Sequence, residues 1–203
     1  VGSQGMAQNN KNNGKEILIP DATIKDFGAF VLGNLNFERL QLQGGIRADY
    51  RGIDTKQMVT GEGSFPALKN SYNGFTFSSG TVYKLRKTKF RTNISSGFRA
   101  PNTTELLSDG VHHGTNRYIK GDVNLKNENA TQLDFSFDYQ DEHFSFSVNP
   151  FYNAIQNYIF LSPIDTVIDN SPVFEYLQTS AFLYGGELGF HYHPHKIHWL
   201  HLE

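Results

Sequence analysis

The sequence predicts an all-β fold, an antiparallel up-and-down meander of about eight strands belonging to a larger transmembrane β-barrel. Two patterns carry this expectation. Apolar and polar side chains alternate with period two, and the connections between segments alternate short and long. Composition agrees: aromatics reach 14% of the 203 residues, with 17 Phe and 10 Tyr, and flat rings suit a pleated surface.

The expected strands cover roughly 27–37, 40–50, 73–85, 88–98, 131–140, 143–160, 174–192 and 197–203. Within the second, Leu40, Leu42, Ile46, Ala48 and Tyr50 share one parity, and Gln41, Gln43, Arg47 and Asp49 share the other. A strand sends these two sets to opposite faces. In the fourth, Phe90, Thr92, Ile94 and Phe98 alternate with Arg91, Asn93 and Ser95. In the fifth, Leu133, Phe135, Phe137 and Tyr139 alternate with Asp134, Ser136 and Asp138. The sixth repeats the pattern with Phe144, Phe146 and Val148 against Ser145, Ser147 and Asn149. A helix needs apolar residues three and four apart, and those positions are polar here.

The connections run short at Glu38-Arg39, long at 51–72, short at Arg86-Lys87, long at 99–130, short at Asp141-Glu142, long at 161–173 and short at Pro194-His195. In an up-and-down sheet, alternate connections lie at one end. Short turns at one end and long loops at the other are the build of an outer-membrane barrel. A soluble sandwich scatters its loop lengths, but its strands alternate in the same way, so a sugar- or protein-binding β-sandwich stays open as an alternative. A small autonomous eight-stranded barrel is a third. In the barrel reading the Phe/Leu/Tyr face meets lipid and the Ser/Asn/Asp/Arg face meets a polar lumen. Tyr50, Tyr83, Phe98, Tyr139 and Tyr158 then fall near strand ends, where aromatic girdles sit.

Domain organisation follows. Residues 1–203 read as part of one barrel, with 1–26, polar and rich in Asn and Gly, as an extracellular loop and 27–203 as strands and loops. No secretory signal opens the chain, and its last residues read as a new strand, so a segment of a longer protein is expected. No apolar run approaches the ~18 residues of a membrane-spanning helix, and the mean hydropathy is −0.46. Strands that show lipid an apolar residue only at alternate positions are compatible with that value. A net charge of −2 gives no basic stripe for nucleic acid. The absence of cysteine excludes a disulfide framework and a thiolate metal site.

The stretch 97–130 carries the chemistry. Pro101 cannot donate to a ladder, so it ends a strand. Thr103 is placed to cap a short helical turn through Glu105-Leu106-Leu107. Gly110 and Gly114 frame His112 and His113, whose neutral imidazoles suit iron, zinc or haem. Adjacent residues of an extended segment point to opposite sides, so one metal seldom takes both; solvated loop histidines are the alternative reading. A second set, His191, His193, His195, His198 and His201, falls at the short-turn end around Pro194 and reads as structural. Glu187, within Gly185-Gly186-Glu187-Leu188, reads as a lumen-facing structural carboxylate. No nucleophile elbow, phosphate loop or framed carboxylate pair points to an enzyme.

Taken in order, Phe98-Arg99-Ala100-Pro101, Glu105-Leu106, Gly110-Val111-His112-His113-Gly114-Thr115 and Asp122-Val123-Asn124-Leu125-Lys126 resemble the β-barrel of TonB-dependent outer-membrane receptors. Asn153-Ala154-Ile155-Gln156-Asn157-Tyr158-Ile159 and Gly185-Gly186-Glu187-Leu188 extend the resemblance, which runs from about Ile17 to the end. It implies a central-to-late portion of a barrel of about 22 strands in the outer membrane of a Gram-negative bacterium. It also implies a separate plug domain and a TonB-engaging segment, neither within these residues. The function it implies is uptake, without covalent chemistry, of a ferric siderophore, haem, cobalamin or a metal ion, powered through the TonB complex. Membrane lipid and a small metal chelate are the other implied partners. Haem or a metal ion enters as cargo, not as a resident cofactor. The haem branch carries a Phe-Arg-Ala-Pro box, a histidine and an Asn-Pro-Asn-Leu-like box. The first box is intact here, and the second reads Asp122-Val123-Asn124-Leu125 without its proline. If a histidine holds haem, the spacing points to His112 or His113. The candidate ligand contacts are therefore His112, His113, Arg99, Arg117 and Tyr118, with the two histidines as candidate metal ligands.

Overall fold

The computed structural model describes residues 1–13, 17, 19–59, 64–112 and 114–192. The elements, in chain order, are β1 (Gly2–Asn10), β2 (Ala22–Asn36), β3 (Leu40–Thr55), β4 (Met58–Val59), β5 (Ser64–Phe65), β6 (Leu68–Leu85), β7 (Thr88–Arg99), α1 (Thr103–Leu107), β8 (Asp109–His112), β9 (Arg117–Lys120), β10 (Glu128–Gln140), β11 (Phe144–Ile168) and β12 (Ser171–Tyr192). Ten of the strands form one sheet in the order β1-β2-β3-β6-β7-β10-β11-β12-β9-β8, and β4 and β5 make a separate small hairpin. From β1 to β12 every neighbouring pair is antiparallel. The expected meander is therefore present through seven of its strands. The eighth, 197–203, and the turn at Pro194-His195 lie outside the described residues.

Register aligns the alternation of each strand with that of its neighbours. Leu40 sits opposite Tyr83, Tyr83 opposite Phe90, Phe90 opposite Phe137, Phe137 opposite Val148 and Val148 opposite Leu188. A second row joins Ile94, Leu133, Tyr152 and Tyr184, and a third joins Val31, Ile46 and Phe77. Partners in a ladder share a face, so these rows lie on one side of the sheet. Among the described residues no second sheet covers that side: Tyr184 is 79% and Leu188 78% exposed. A sandwich would bury it. A contiguous apolar face of this extent calls for an apolar surrounding, which lipid supplies.

The other face is polar. Arg51 clamps Asp26 with two hydrogen bonds of 2.7 and 2.6 Å. Arg47 reaches Asp49 on its own strand, and Arg91 crosses to Ser136 and Asp138 on β10. Such half-exposed pairs contribute little each. Their value here is that they occupy the positions a lumen leaves to polar groups.

Aromatic contacts mark the short-turn end of the apolar face. Phe90 and Phe137 lie 5.1 Å apart, Tyr139 and Phe144 5.9 Å, and Phe144 and Phe190 5.0 Å. Nearer the long loops, Tyr152 stacks on Phe182 at 6.2 Å. Phe98 does not join a girdle. Its ring lies over Gly74 and packs against the interior cluster described below.

Three stretches differ from the sequence expectation. Residues 1–26 are not loop throughout, because Gly2–Asn10 pairs along its whole length with Ala22–Phe30. Its sequence, GSQGMAQNN, has no apolar alternation, so hydrogen bonding to the β2 edge holds it rather than side-chain burial. The expected loop at 161–173 is a two-residue turn between extended strands. Asp169 and Asn170 both adopt positive φ, 48° and 59°, as a tight hairpin of the primed type requires, and Asp and Asn are among the few residues that take that conformation readily. The expected loop at 51–72 shortens in the same way, since β3 runs to Thr55 and β6 starts at Leu68, with β4 and β5 between. The asymmetry of the two ends survives these changes: the elaborated connections all leave from the same end.

In the membrane-embedded protein, Ile46→Arg on the apolar face should lower folding stability by about 2–4 kcal/mol. Gln43→Arg, on the polar face of the same strand, should change it little. Reversible unfolding from lipid vesicles measures both, and equal costs would contradict the assignment of faces.

Candidate functional site

The connection from β7 to β10 is a folded insert. Pro101 ends β7 at Arg99, as its missing N–H requires. The cap of α1 is Asn102, not Thr103. The Glu105 amide donates to Asn102 Oδ1 at 2.8 Å, and the Asn102 amide donates to Glu105 Oε2 at 2.8 Å. This reciprocal capping box satisfies two amides that the helix start leaves without partners. Thr103 is then the first helical residue and is buried. Leu106 (1% exposed) and Leu107 turn into a cluster with Ile24, Ile53, Tyr72, Ala100, Leu125 and Ile159. Ile24 and Ile53 face each other across β2 and β3, on the side away from Phe27 and Tyr50. The insert therefore packs over the polar side of the wall, not the apolar one.

Arg99 joins the insert to the wall. Its Nε and Nη2 donate to the two oxygens of Glu128 at 2.7 and 2.6 Å, and Nη1 donates to both oxygens of Glu105 at 2.9 and 3.0 Å. Glu128 Oε1 also accepts from the Ile159 amide at 2.7 Å, beside a register irregularity between Ile155 and Tyr158. The Arg99 hydrogen bonds, helped by the Ile159 amide, hold the Glu128 carboxyl below the usual carboxylate range. Glu128 in turn, followed by Glu105, raises the already high pKa of Arg99. The exit of the insert is tied as well. Gln178 accepts from the Lys126 amide and donates to the carbonyls of Lys126 and Asn157. The Tyr72 hydroxyl donates to the Leu125 carbonyl at 3.3 Å.

Between these ties stands the β8–β9 hairpin. At its base the Gly121 amide donates to the Ser108 carbonyl at 2.7 Å, and the Asp122 amide donates to the Glu105 carbonyl at 3.0 Å. A Cβ on Gly121 would lie 2.6 Å from Leu106 C and Leu107 N, so only glycine permits this approach. β9 lies parallel to β12, with Tyr118 opposite Val173 and Ile119 opposite Phe174. Lys120 pairs with Glu175 at 3.2 Å.

The candidate residues divide sharply. Arg99 has its donors committed to Glu105 and Glu128. Tyr118 donates to Asp109 Oδ1 at 2.6 Å, and burial together with that carboxylate pushes its hydroxyl pKa up to about 12. Arg117 lies 4.6 Å over the Phe174 ring, a cation–π contact. His112 sits directly opposite Arg117 near the hairpin tip, with Thr115 Oγ1 3.4 Å from its Nδ1. The structure thus brings His112, Arg117 and Phe174 together and leaves Arg99 and Tyr118 engaged elsewhere. His113 lies outside the described residues, as do His193, His195, His198 and His201. His191 is on β12 opposite Ser145. Among the described residues no group of three or more histidine and carboxylate side chains is placed to hold a metal ion. Sequence reasoning named Glu105 as part of a helical turn and of a family motif but not as a partner of Arg99, and assigned no role to Gly121, Glu128, Phe174 or Gln178. One signal was available: Asn102-x-x-Glu105 has capping-box spacing.

Residues 3–202 match the family described as TonB dependent receptor-like, beta-barrel. No curated protein sequence matches the chain. Among solved structures, the Serratia marcescens hemophore receptor HasR, in complex with its hemophore HasA and heme, is similar at 15% identity and a TM-score of 0.72, over 91% of this chain and 34% of that one. The copper transporter OprC is similar at 20% identity and 0.70, over 85% and 27%. The FrpB iron transporter from Neisseria meningitidis is similar at 19% identity and 0.59, over 87% and 24%. The chain spans about a third or less of each of these relatives.

The Glu128 shift has a pH consequence. A carboxyl whose pKa is lower in the folded state stabilises that state above its unfolded pKa, about 4.3, and the contribution is lost as pH falls through the folded value. Amide protection across 103–122 should therefore hold constant from pH 7 to 5 and fall in more acidic buffer, while the wall at 133–139 stays protected. Gly121→Ala should lower protection of the same stretch at neutral pH. Hydrogen exchange reads both, and an insert indifferent to acid and to the methyl group would contradict the ties described.

Proposed function

The chain belongs to the TonB-dependent receptor β-barrel family, whose members are outer-membrane receptors and transporters of Gram-negative bacteria; from that premise we propose that it is wall and outer loops of a receptor for TonB-driven uptake of an iron chelate, haem or another scarce metal-containing ligand. One observation carries the reading: a folded insert that packs on the polar side of a wall whose other side is apolar and exposed, and whose arm bears His112 and Arg117, with Arg117 over Phe174 of β12. The apolar side suits membrane lipid, and the arm suits a ligand arriving at the long-loop end. Residues 1–203 then form part of one barrel, with the elaborated connections outside the cell and the short turns in the periplasm. The TonB complex engages a region beyond these residues.

The structural relatives named for heme, copper and iron favour a metal-containing cargo. Within that class, an imidazole beside a guanidinium and a phenyl ring fits a flat anionic chelate. The imidazole binds the metal, the guanidinium meets a carboxylate, and the ring packs on the plane. His112 or His113 supplies the imidazole, Arg117 the anion contact. The receptor needs only to bind, orient and release, so no covalent step is assigned to any residue.

Titrating the full-length receptor with haemin, zinc and ferric siderophores tests the cargo. If haem is the cargo, the His112→Ala/His113→Ala double variant should lose at least tenfold in haemin affinity, about 1.4 kcal/mol. Unchanged affinity in that variant would exclude haem held by this arm.

A further inference from the structure

We infer that Arg99 is a positioning residue: its bracket with Glu105 and Glu128 sets the place of the His112 arm, and Arg99 does not itself touch cargo. The bracket meets four elements. Arg99 ends β7, Glu105 belongs to α1, Glu128 begins β10, and Glu128 also holds the Ile159 amide of β11. The guanidinium suits the task, since its planar fork serves two carboxylates from separate edges, which an ammonium cannot do.

The path from the bracket to the arm is short and continuous. Glu105 takes Arg99 on its side chain and the Asp122 amide on its carbonyl. Its own amide and one carboxylate oxygen close the capping box on Asn102, so the residue cannot turn away without uncapping α1. Asp122 and Gly121 lie at the foot of β9, and Ser108 at the foot of β8. Glu105 therefore ties the foot of the hairpin whose far end carries His112, while β12 holds one side of β9. Nε, Nη1 and Nη2 of Arg99 each bond a carboxylate, so the guanidinium is held in the bracket with one Nη2 N–H outside it. Its removal leaves Glu105 and Glu128, both largely buried, as two carboxylates without their shared cation.

This inference rests on the uptake reading only for what the arm presents itself to. The test separates the two. In the full-length receptor, spin labels at Thr115→Cys on the arm and Leu85→Cys at the short-turn end report the distance between arm and wall, with haemin affinity measured in parallel. The unaltered bracket should give one narrow distance distribution. Arg99→Gln should broaden it and lower haemin affinity at least tenfold, with Arg99→Lys between the two. His112→Ala should lower affinity while the distribution stays narrow. Glu128→Gln, which keeps shape and loses charge, should broaden the distribution as well and serves where Arg99→Gln does not assemble. Reduced affinity with a narrow distribution in Arg99→Gln would make Arg99 a ligand contact and overturn the inference. So would a broad distribution with full affinity, or no change in either. A receptor that binds no haemin would count against the haem reading alone, and the distance distributions would still decide whether the bracket holds the arm.

Discussion

Strand register is the constraint on which the rest of this structure depends. At membrane depth every backbone N–H and C=O needs a partner within the protein, and a sheet meets that need only by continuous pairing. Pairing alone does not choose a register. Side chains do, because a slip of one residue would turn Asp26, Arg47, Arg51 and Asp138 toward lipid and Phe27, Ile46 and Phe137 toward the lumen. The row from Leu40 through Tyr83, Phe90, Phe137 and Val148 to Leu188 shows six strands satisfying the same demand at one level.

Above that level the demand relaxes, and the structure changes character. β11 runs 25 residues, far more than a bilayer crossing uses, and in its upper part the pairing with β12 shifts register where Glu128 accepts from the Ile159 amide. There the wall acquires a core of the kind soluble proteins have. Leu106 and Leu107 of α1 fill it against Ile24, Ile53 and Tyr72 from the strands. The insert is ordered because it buries apolar side chains of its own and returns its polar groups to the wall through Arg99, Gln178 and Tyr72. The wall and the arm are thus held by different physics: alternation and pairing below, burial and charge-assisted hydrogen bonds above.

That division explains what could be read from the sequence. The strands at 40–50, 88–98, 131–140 and 143–160 declared themselves because lipid on one side and a polar lumen on the other write their alternation into every second residue. Gly2–Asn10 did not, since its side chains carry no apolar alternation and its pairing with β2 is mainly through the backbone. The turn at Asp169-Asn170 was hidden by the prolines and polar residues around it, which look like loop, although the Asp-Asn dipeptide itself suits a tight turn. The importance of the Phe98-Arg99-Ala100-Pro101 stretch was legible, but the partners of Arg99 were not. Glu128 is 29 residues away, and only the folded insert brings it within 2.6 Å. His112 was visible as a candidate by residue type alone, while Phe174, which shares its surface through Arg117, is 62 residues distant and carried no local signal.

One face of this sheet meets lipid and the other does not. The most direct measurement is a spin-label scan of 40–50 in the full-length receptor in lipid vesicles, recording collision with apolar oxygen and with a water-soluble nickel chelate. Oxygen accessibility should alternate with period two, high at Leu40, Leu42, Ile46, Ala48 and Tyr50 and low at the residues between them. Uniform accessibility along the strand, or maxima at Gln41, Gln43, Arg47 and Asp49, would contradict it.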